Sequence, residues 1–272
     1  EQTNSDGSQD NPFDNIQSAL EQINVGDTIY LEPGIHHSPG SHGINVDQMM
    51  YSEFYVYGST GDPKDVVIDA HDESRHFSLR GNETQELKAG FKNITFYNGY
   101  ANEGNGGGGG GSFIIMQNTR VNFDNCIFYE NETDGSGWGS GGAILLENVE
   151  EANFTNCVFR ENKVQGGDKG GAVYMWANPV EGQNTPHLFD HCKFIRNGVQ
   201  VGSVNEQRTL GGGALMLNGA AIVRNSIIDS SYVYHNYSGS GENVSVHGGA
   251  ISIGFGGDFN DISSWDNIPY SI

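Results

Sequence analysis

A nine-residue pattern, FDNCIFYEN at 123–131, returns as FTNCVFREN at 154–162 and as FDHCKFIRN at 189–197. Weaker copies, FKNITF at 91–96 and VRNSII at 223–228, extend the series in both directions. The column Asn93, Asn125, Asn156, His191 and Asn225 then advances in steps of 32, 31, 35 and 34 residues. A second pattern keeps phase with it: GGSF at 110–113, GGAI at 141–144, GGAV at 170–173, GGAL at 212–215 and GGAI at 248–251. Self-similarity at this period marks a solenoid, in which each unit buries its apolar side only against its neighbours.

Each GGA opens a short apolar run bounded by glycine, which signals a strand and is too short for a helix. Phe154 and Cys157 are three apart, so strict alternation cannot place both on one face. A bend at Thr155–Asn156 would let both point inward. Asn tolerates the left-handed backbone such a corner needs, and the side chains of the Asn column are expected to hydrogen-bond up the stack. Near the start, Phe13, Ile16, Ala19, Leu20 and Ile23 share one helical face, and TIYLEPG reads as strand then turn. The prediction is an all-β chain, with a cap helix and first strand over 1–30 and a parallel β-helix over 31–272. The tail DFNDISSWDNIPYSI has no amphipathic pattern to cover a last coil, so the solenoid is expected to continue or to be capped by another chain.

Over about residues 90–255, the GGA[ILV] and FxNCxFxxN units resemble the repeats of polymorphic outer-membrane proteins and related surface proteins. The opening DNPFDNIQSALEQINVGDTIYLEPG is similar to that of many secreted β-helix proteins, where an amphipathic helix caps the core. The resemblance implies a right-handed parallel β-helix solenoid, the architecture of pectate lyases, with an N-terminal capping helix. His191 and Ser226 depart from the Asn and Cys columns.

In a parallel stack, equivalent residues lie about 4.8 Å apart. Cys126, Cys157 and Cys192 should therefore form one column, continued by Ile94 and Ser226. Free thiols acting as small hydrophobes are the leading reading. A disulfide between neighbours is within reach but poorly aimed, and a zinc site lacks a fourth ligand.

The strands after GGA present one aliphatic set to the interior and a second set outward. That outer face is apolar and nearly uncharged, and it contains Ile114, Met116, Leu145, Tyr174, Trp176 and Met216. Such a face is expected to be covered, by the Gly-rich loops or by another molecule. The resemblance to lyases and hydrolases of this fold implies a base, calcium or convergent carboxylates; this face offers Glu147 alone. An enzyme would have to draw on loop residues such as Asp134, Asp168, Lys169, Arg208 and His247. A glycan-binding module would use Tyr174 and Trp176. No catalytic residue, cofactor or metal ligand is assigned, and calcium has only a weak claim, at the turn GDPKD 61–65.

With 34 acidic against 13 basic residues the formal net charge is −21. Nucleic acid and anionic membranes would repel such a surface, and no apolar run is long enough for a spanning helix. Sequons occur at Asn82, Asn93, Asn131, Asn153, Asn236 and Asn243, which suits a secreted glycoprotein. Of these, Asn93 lies in the corner column and should be modified less readily than Asn82, Asn131 or Asn236. The reading is an extracellular structural or adhesin-like protein that associates with itself, with other surface proteins or with glycans. A carbohydrate-active β-helix enzyme is the alternative.

Overall fold

The computed structural model describes residues 5–47, 52–102, 108–134, 139–167, 169–176, 185–201, 209–235, 245–247 and 249–253. They form a parallel β-solenoid with three sheets of seven strands and one of five, plus a two-stranded pair of Thr209–Gly211 with Ser245–His247. One winding illustrates the path. Thr119–Asp124 lies in the first sheet, Ile127–Tyr129 in the second and Glu132–Asp134 in the five-stranded fourth. Ile144–Glu147 then returns through the third sheet before Glu151–Thr155 opens the next winding.

Register is set by the aromatic positions. Phe91, Phe123, Phe154 and Phe189 pair strand to strand in the first sheet, and Phe96, Phe128, Phe159 and Phe194 do so in the second. Their rings stack, with Phe154 lying 5.1 Å from Phe123 and 4.7 Å from Phe189. A one-residue slip would turn every Phe of a strand to solvent. Each such buried ring contributes about 1.5–3 kcal/mol, so the two stacks hold the windings in one alignment.

The chain bends where the Asn column predicts. Asn93, Asn125, Asn156, His191 and Asn225 all have φ between 51° and 56°. The expected hydrogen-bonded ladder along this column is realised only once, from Asn125 Nδ2 to Asn93 Oδ1 at 2.9 Å. Higher up it gives way to carboxylates: Asn156 Nδ2 faces Asp124 Oδ1 at 3.5 Å and Asn225 Nδ2 donates to Asp190 Oδ1 at 2.9 Å. His191 breaks the carboxamide series, and a charged oxygen is the stronger acceptor.

A second corner follows the five second-sheet strands from Thr95–Tyr97 to Ile227–Asp229. It is made by Asn98, Glu130, Glu161, Arg196 and Ser230, again with positive φ. Immediately after it, Asn131, Asn162 and Asn197 are fully buried and bonded to one another. Each Nδ2 also reaches a Phe carbonyl of the preceding winding: Asn131 to Phe96, Asn162 to Phe128 and Asn197 to Phe159, at 2.9–3.1 Å. This inner ladder satisfies backbone groups that the corner leaves without sheet partners.

The GG pair has two separate physical causes. The first glycine takes positive φ, as at Gly141 (70°). The second lies against neighbouring backbone, and a Cβ on Gly142 would collide with the Gly171 carbonyl and the Lys163 amide. In GGSF the third position is Ser112 because His76 lies beneath it, with Nδ1 at 2.9 Å from Ser112 Oγ.

The helix is shorter than its apolar pattern predicts, spanning Ile16–Leu20. Asn15 Oδ1 caps it by accepting from Ser18 N at 2.8 Å, and the Gly40 carbonyl accepts from Gln17 N at 2.8 Å. Ile16, Ala19 and Leu20 join the core beside Ile29 and Leu31, while Phe13 and Ile23 flank it half-buried. A turn closed by Asn24 N on Asp27 Oδ2 sends the chain into Thr28–Leu31, so the helix stops there.

Candidate functional site

Cys126, Cys157 and Cys192 are free and fully buried. Each thiol faces the carbonyl of a Phe in the winding before it: Phe91 at 3.5 Å, Phe123 at 3.5 Å and Phe154 at 3.4 Å. Ser226 continues the pattern, with Oγ facing the Phe189 carbonyl at 3.5 Å. Burial pushes the Cys157 thiol well above its ordinary range, and contact with Cys157 followed by burial does the same to Cys192. A thiol held protonated is a poor nucleophile and a poor ligand. The native protein should therefore leave maleimide unreacted, and denaturant should release all 3 thiols. Rapid labelling of the native fold, read by intact mass, would contradict the burial.

The apolar stripe is partly covered by the chain itself. Gly109, Ser140, Lys169 and Gly211 pair in parallel, one above another, in the segments that precede the third-sheet strands. A Cβ on Gly109 would collide with Leu145, and one on Gly211 would come within 3.2 Å of Met216 Sδ. Lys169 Nζ lies 5.4 Å from the Tyr174 ring centre. Met216 is 0% and Tyr174 9% exposed, so, contrary to the expectation from sequence, neither offers an outer contact and Tyr174 offers no platform for a sugar. Ile114, Met116, Leu145 and Trp176 remain half-buried.

The loop residues named for an enzyme do not assemble among the described residues. The Asp134 carboxylate accepts from Tyr100 Oη at 3.3 Å, and Lys169 is engaged at Tyr174. Asp168 and Arg208 lie outside the described residues, as do Asn236, Asn243 and the tail 254–272. His247 ends a described strand. The Gly61–Asp65 turn is closed by Asp62 accepting from Lys64 N at 3.0 Å. Among the described residues no group of three or more His, Cys, Asp or Glu could hold a metal ion.

Carboxylates do converge elsewhere, at the second corner. A groove of about 520 Å³ is lined by Asn98, Glu130, Glu161 and Arg196 of the turn column, by Glu132, Lys163 and Tyr232 from the fourth sheet, and by Asp72. Lys163 Nζ meets Glu132 Oε2 at 2.8 Å, and Arg196 meets Glu161. Arg160 joins Glu161 at 3.2 Å and lies over the Tyr129 ring. Tyr129 stacks on Tyr97, and its hydrogen bond to Glu130 pushes its phenol up to about 12. Asp72 is the exception: burial, then Asp69, raises its carboxyl above the usual range despite Lys163 nearby.

The sequons separate by environment. Asn131 is a correction: it is fully buried in the inner ladder, with Nδ2 donating twice, so it is no glycan acceptor in the folded chain. Asn153 Nδ2 donates to Asn122 Oδ1 and Glu151 Oε1. Compared with family models, curated proteins and solved structures, the chain finds no match in any of the three.

Proposed function

We propose that this chain is an extracellular structural protein, adhesin-like and non-enzymatic, whose rod associates with copies of itself or other surface proteins in a layer or fibre. In this reading the solenoid winds right-handed, its short helix caps the N-terminal end, and its repeats are of the polymorphic outer-membrane type that the GGA and FxNCxFxxN units resemble. The observation that carries the reading is the state of the groove. Glu132 and Glu161, carboxylates a hydrolase would need free, are held by Lys163 and Arg196 of the winding above. Ion pairs between windings also join Arg120 to Glu86 and Glu151, Lys92 to Asp124, and Arg224 to Asp190. Charge on this rod ties coil to coil. Filaments or regular oligomers under the electron microscope, and light scattering that rises with concentration, are expected. A monodisperse monomer at high concentration would overturn the proposal.

One observation favours a second reading as a polysaccharide hydrolase: the raised carboxyl of Asp72 beside Glu130 in the groove. A carboxyl that holds its proton more readily than its neighbours is the one of a group better suited to act as general acid. That reading expects reducing ends released from a polysaccharide panel by the unmodified chain, and none by Asp72→Asn.

A further inference from the structure

We propose that Asn82 carries an N-linked glycan, and that among the four sequons within the described residues it is the one the fold leaves open to modification. The inference rests on the extracellular reading above. Asn82 sits in the turn between Phe77–Arg80 of the third sheet and Leu87–Lys92 of the first. Glu83, Thr84 and Gln85 beside it are exposed. Within the side chain only the carboxamide oxygen is used: Asn82 Oδ1 accepts from Thr84 N at 2.7 Å, Gln85 N at 2.7 Å and Thr84 Oγ1 at 2.9 Å, while the backbone closes the turn through Asn82 N on the Gln85 carbonyl at 3.0 Å and the Asn82 carbonyl accepts from Asn118 Nδ2. The carboxamide nitrogen has no partner among the described residues. The threonine of the sequon is thus already turned onto the carboxamide it accompanies.

The other three differ in ways that oppose modification. Asn131 Nδ2 is fully buried and serves the inner ladder, so a sugar there is incompatible with the stack. Asn153 Nδ2 is committed to Asn122 and Glu151. Asn93 sits at positive φ beneath Asn125, and its sequon hydroxyl, on buried Thr95, donates to the Pro63 carbonyl at 2.7 Å. At Asn82 a bulky polar group would project from a hydrated turn without disturbing any strand pairing.

The co-reactant is an oligosaccharide linked through a diphosphate to a lipid carrier. Nδ2 of Asn82 forms a bond to the anomeric carbon, and the bond from that carbon to the diphosphate oxygen breaks. The lipid diphosphate leaves with the electron pair, and the carboxamide loses one proton to solvent.

The test is secretion from a eukaryotic host behind a heterologous signal peptide. Release with a peptide N-glycosidase in heavy-oxygen water then marks each occupied asparagine as a labelled aspartate for peptide mass spectrometry. Label at Asn82 and none at Asn131 is expected, and both Asn82→Gln and Thr84→Ala should remove the Asn82 glycan without shifting the melting temperature. Secreted, folded protein with unmodified Asn82, or with a glycan on Asn131, would overturn the inference. If secretion fails, the folded chain purified from bacterial cytosol is offered to a soluble N-glycosyltransferase with a nucleotide sugar. Transfer must then occur at Asn82 and be abolished by Asn82→Gln, and no transfer there also overturns the inference. Where the native protein resides is read separately by protease shaving of intact cells, so the extracellular reading and this site fail by different results.

Discussion

Replacing Asn162 by alanine is expected to lower the unfolding free energy by about 4 kcal/mol. Its side chain makes 4 hydrogen bonds: Nδ2 to the Phe128 carbonyl and Asn197 Oδ1, and Oδ1 from the amide and the carboxamide of Asn131. None of these groups can turn to water, because Asn131, Asn162 and Asn197 are all fully buried. An unmade bond to a buried group costs about 1–3 kcal/mol, and the losses overlap because the ladder partners are shared. Asn162→Asp keeps the shape and is expected to be no better, since the new oxygen faces the Phe128 carbonyl and Asn197 Oδ1. Asn122→Ala, on the exposed face of a first-sheet strand, removes one bond from Asn153 and should stay within about 0.5 kcal/mol of the parent. Urea unfolding followed by far-ultraviolet dichroism measures all three. An Asn162→Ala midpoint equal to that of Asn122→Ala would show that the ladder is idle.

That ladder also shows where a sequence reading succeeds and stops. The first corner is legible because Asn is one of few residues that enter the left-handed region readily, and the Phe and Cys columns are legible because their spacing breaks alternation. The second corner is not. Glu130, Glu161 and Arg196 hold the same backbone conformation with no residue preference to announce it, since the stack above and below imposes it. The inner ladder does leave a signal, the closing Asn of each nonamer, but at Asn131 that letter coincides with a sequon, which argues for the surface. That the apolar stripe needs cover is legible in its lack of charge, but which positions supply it is not, because the covering segments are Gly-rich and carry few side chains to form a pattern. The groove joins residues from successive windings, and ion pairs such as Lys163 with Glu132 follow from the register. The helix shows the opposite error. Five apolar residues share a helical face, yet only Ile16–Leu20 is helical, because the first strand needs the chain extended from Thr28.

Acidification from pH 6.5 towards 4 is expected to remove about 3 kcal/mol of stability through His76 alone. His76 is fully buried, with Nε2 facing the Ile68 and Tyr97 carbonyls at 3.0 and 3.1 Å and Nδ1 accepting from Ser112. The neutral ring with its proton on Nε2 satisfies every contact, whereas a second proton on Nδ1 would have to displace the Ser112 hydroxyl hydrogen. Burial lowers its pKa to about 4, against an ordinary value of 6.5. Between those values the unfolded chain binds a proton that the folded chain refuses. Stability is therefore complete above pH 6.5 and falls as pH falls through this window. His187, lowered by burial to about 4 against a small opposing pull from Glu151, adds a loss of the same sign. Glu151, Glu161 and Asp190 are held low by their hydrogen bonds, so their contributions disappear only below about pH 4, the ordinary carboxylate range. Two effects oppose the histidines. Asp72 binds its proton more readily when folded, and protonation relieves repulsion in a chain of formal charge −21. High salt screens the repulsion, and comparison with His76→Gln isolates the imidazole, because Gln can still donate to the carbonyls and accept from Ser112. The variant should be less stable at neutral pH but lose less on acidification, its urea midpoint falling along a shallower slope. Parallel slopes for the two proteins would mean that the buried ring titrates alike in both states.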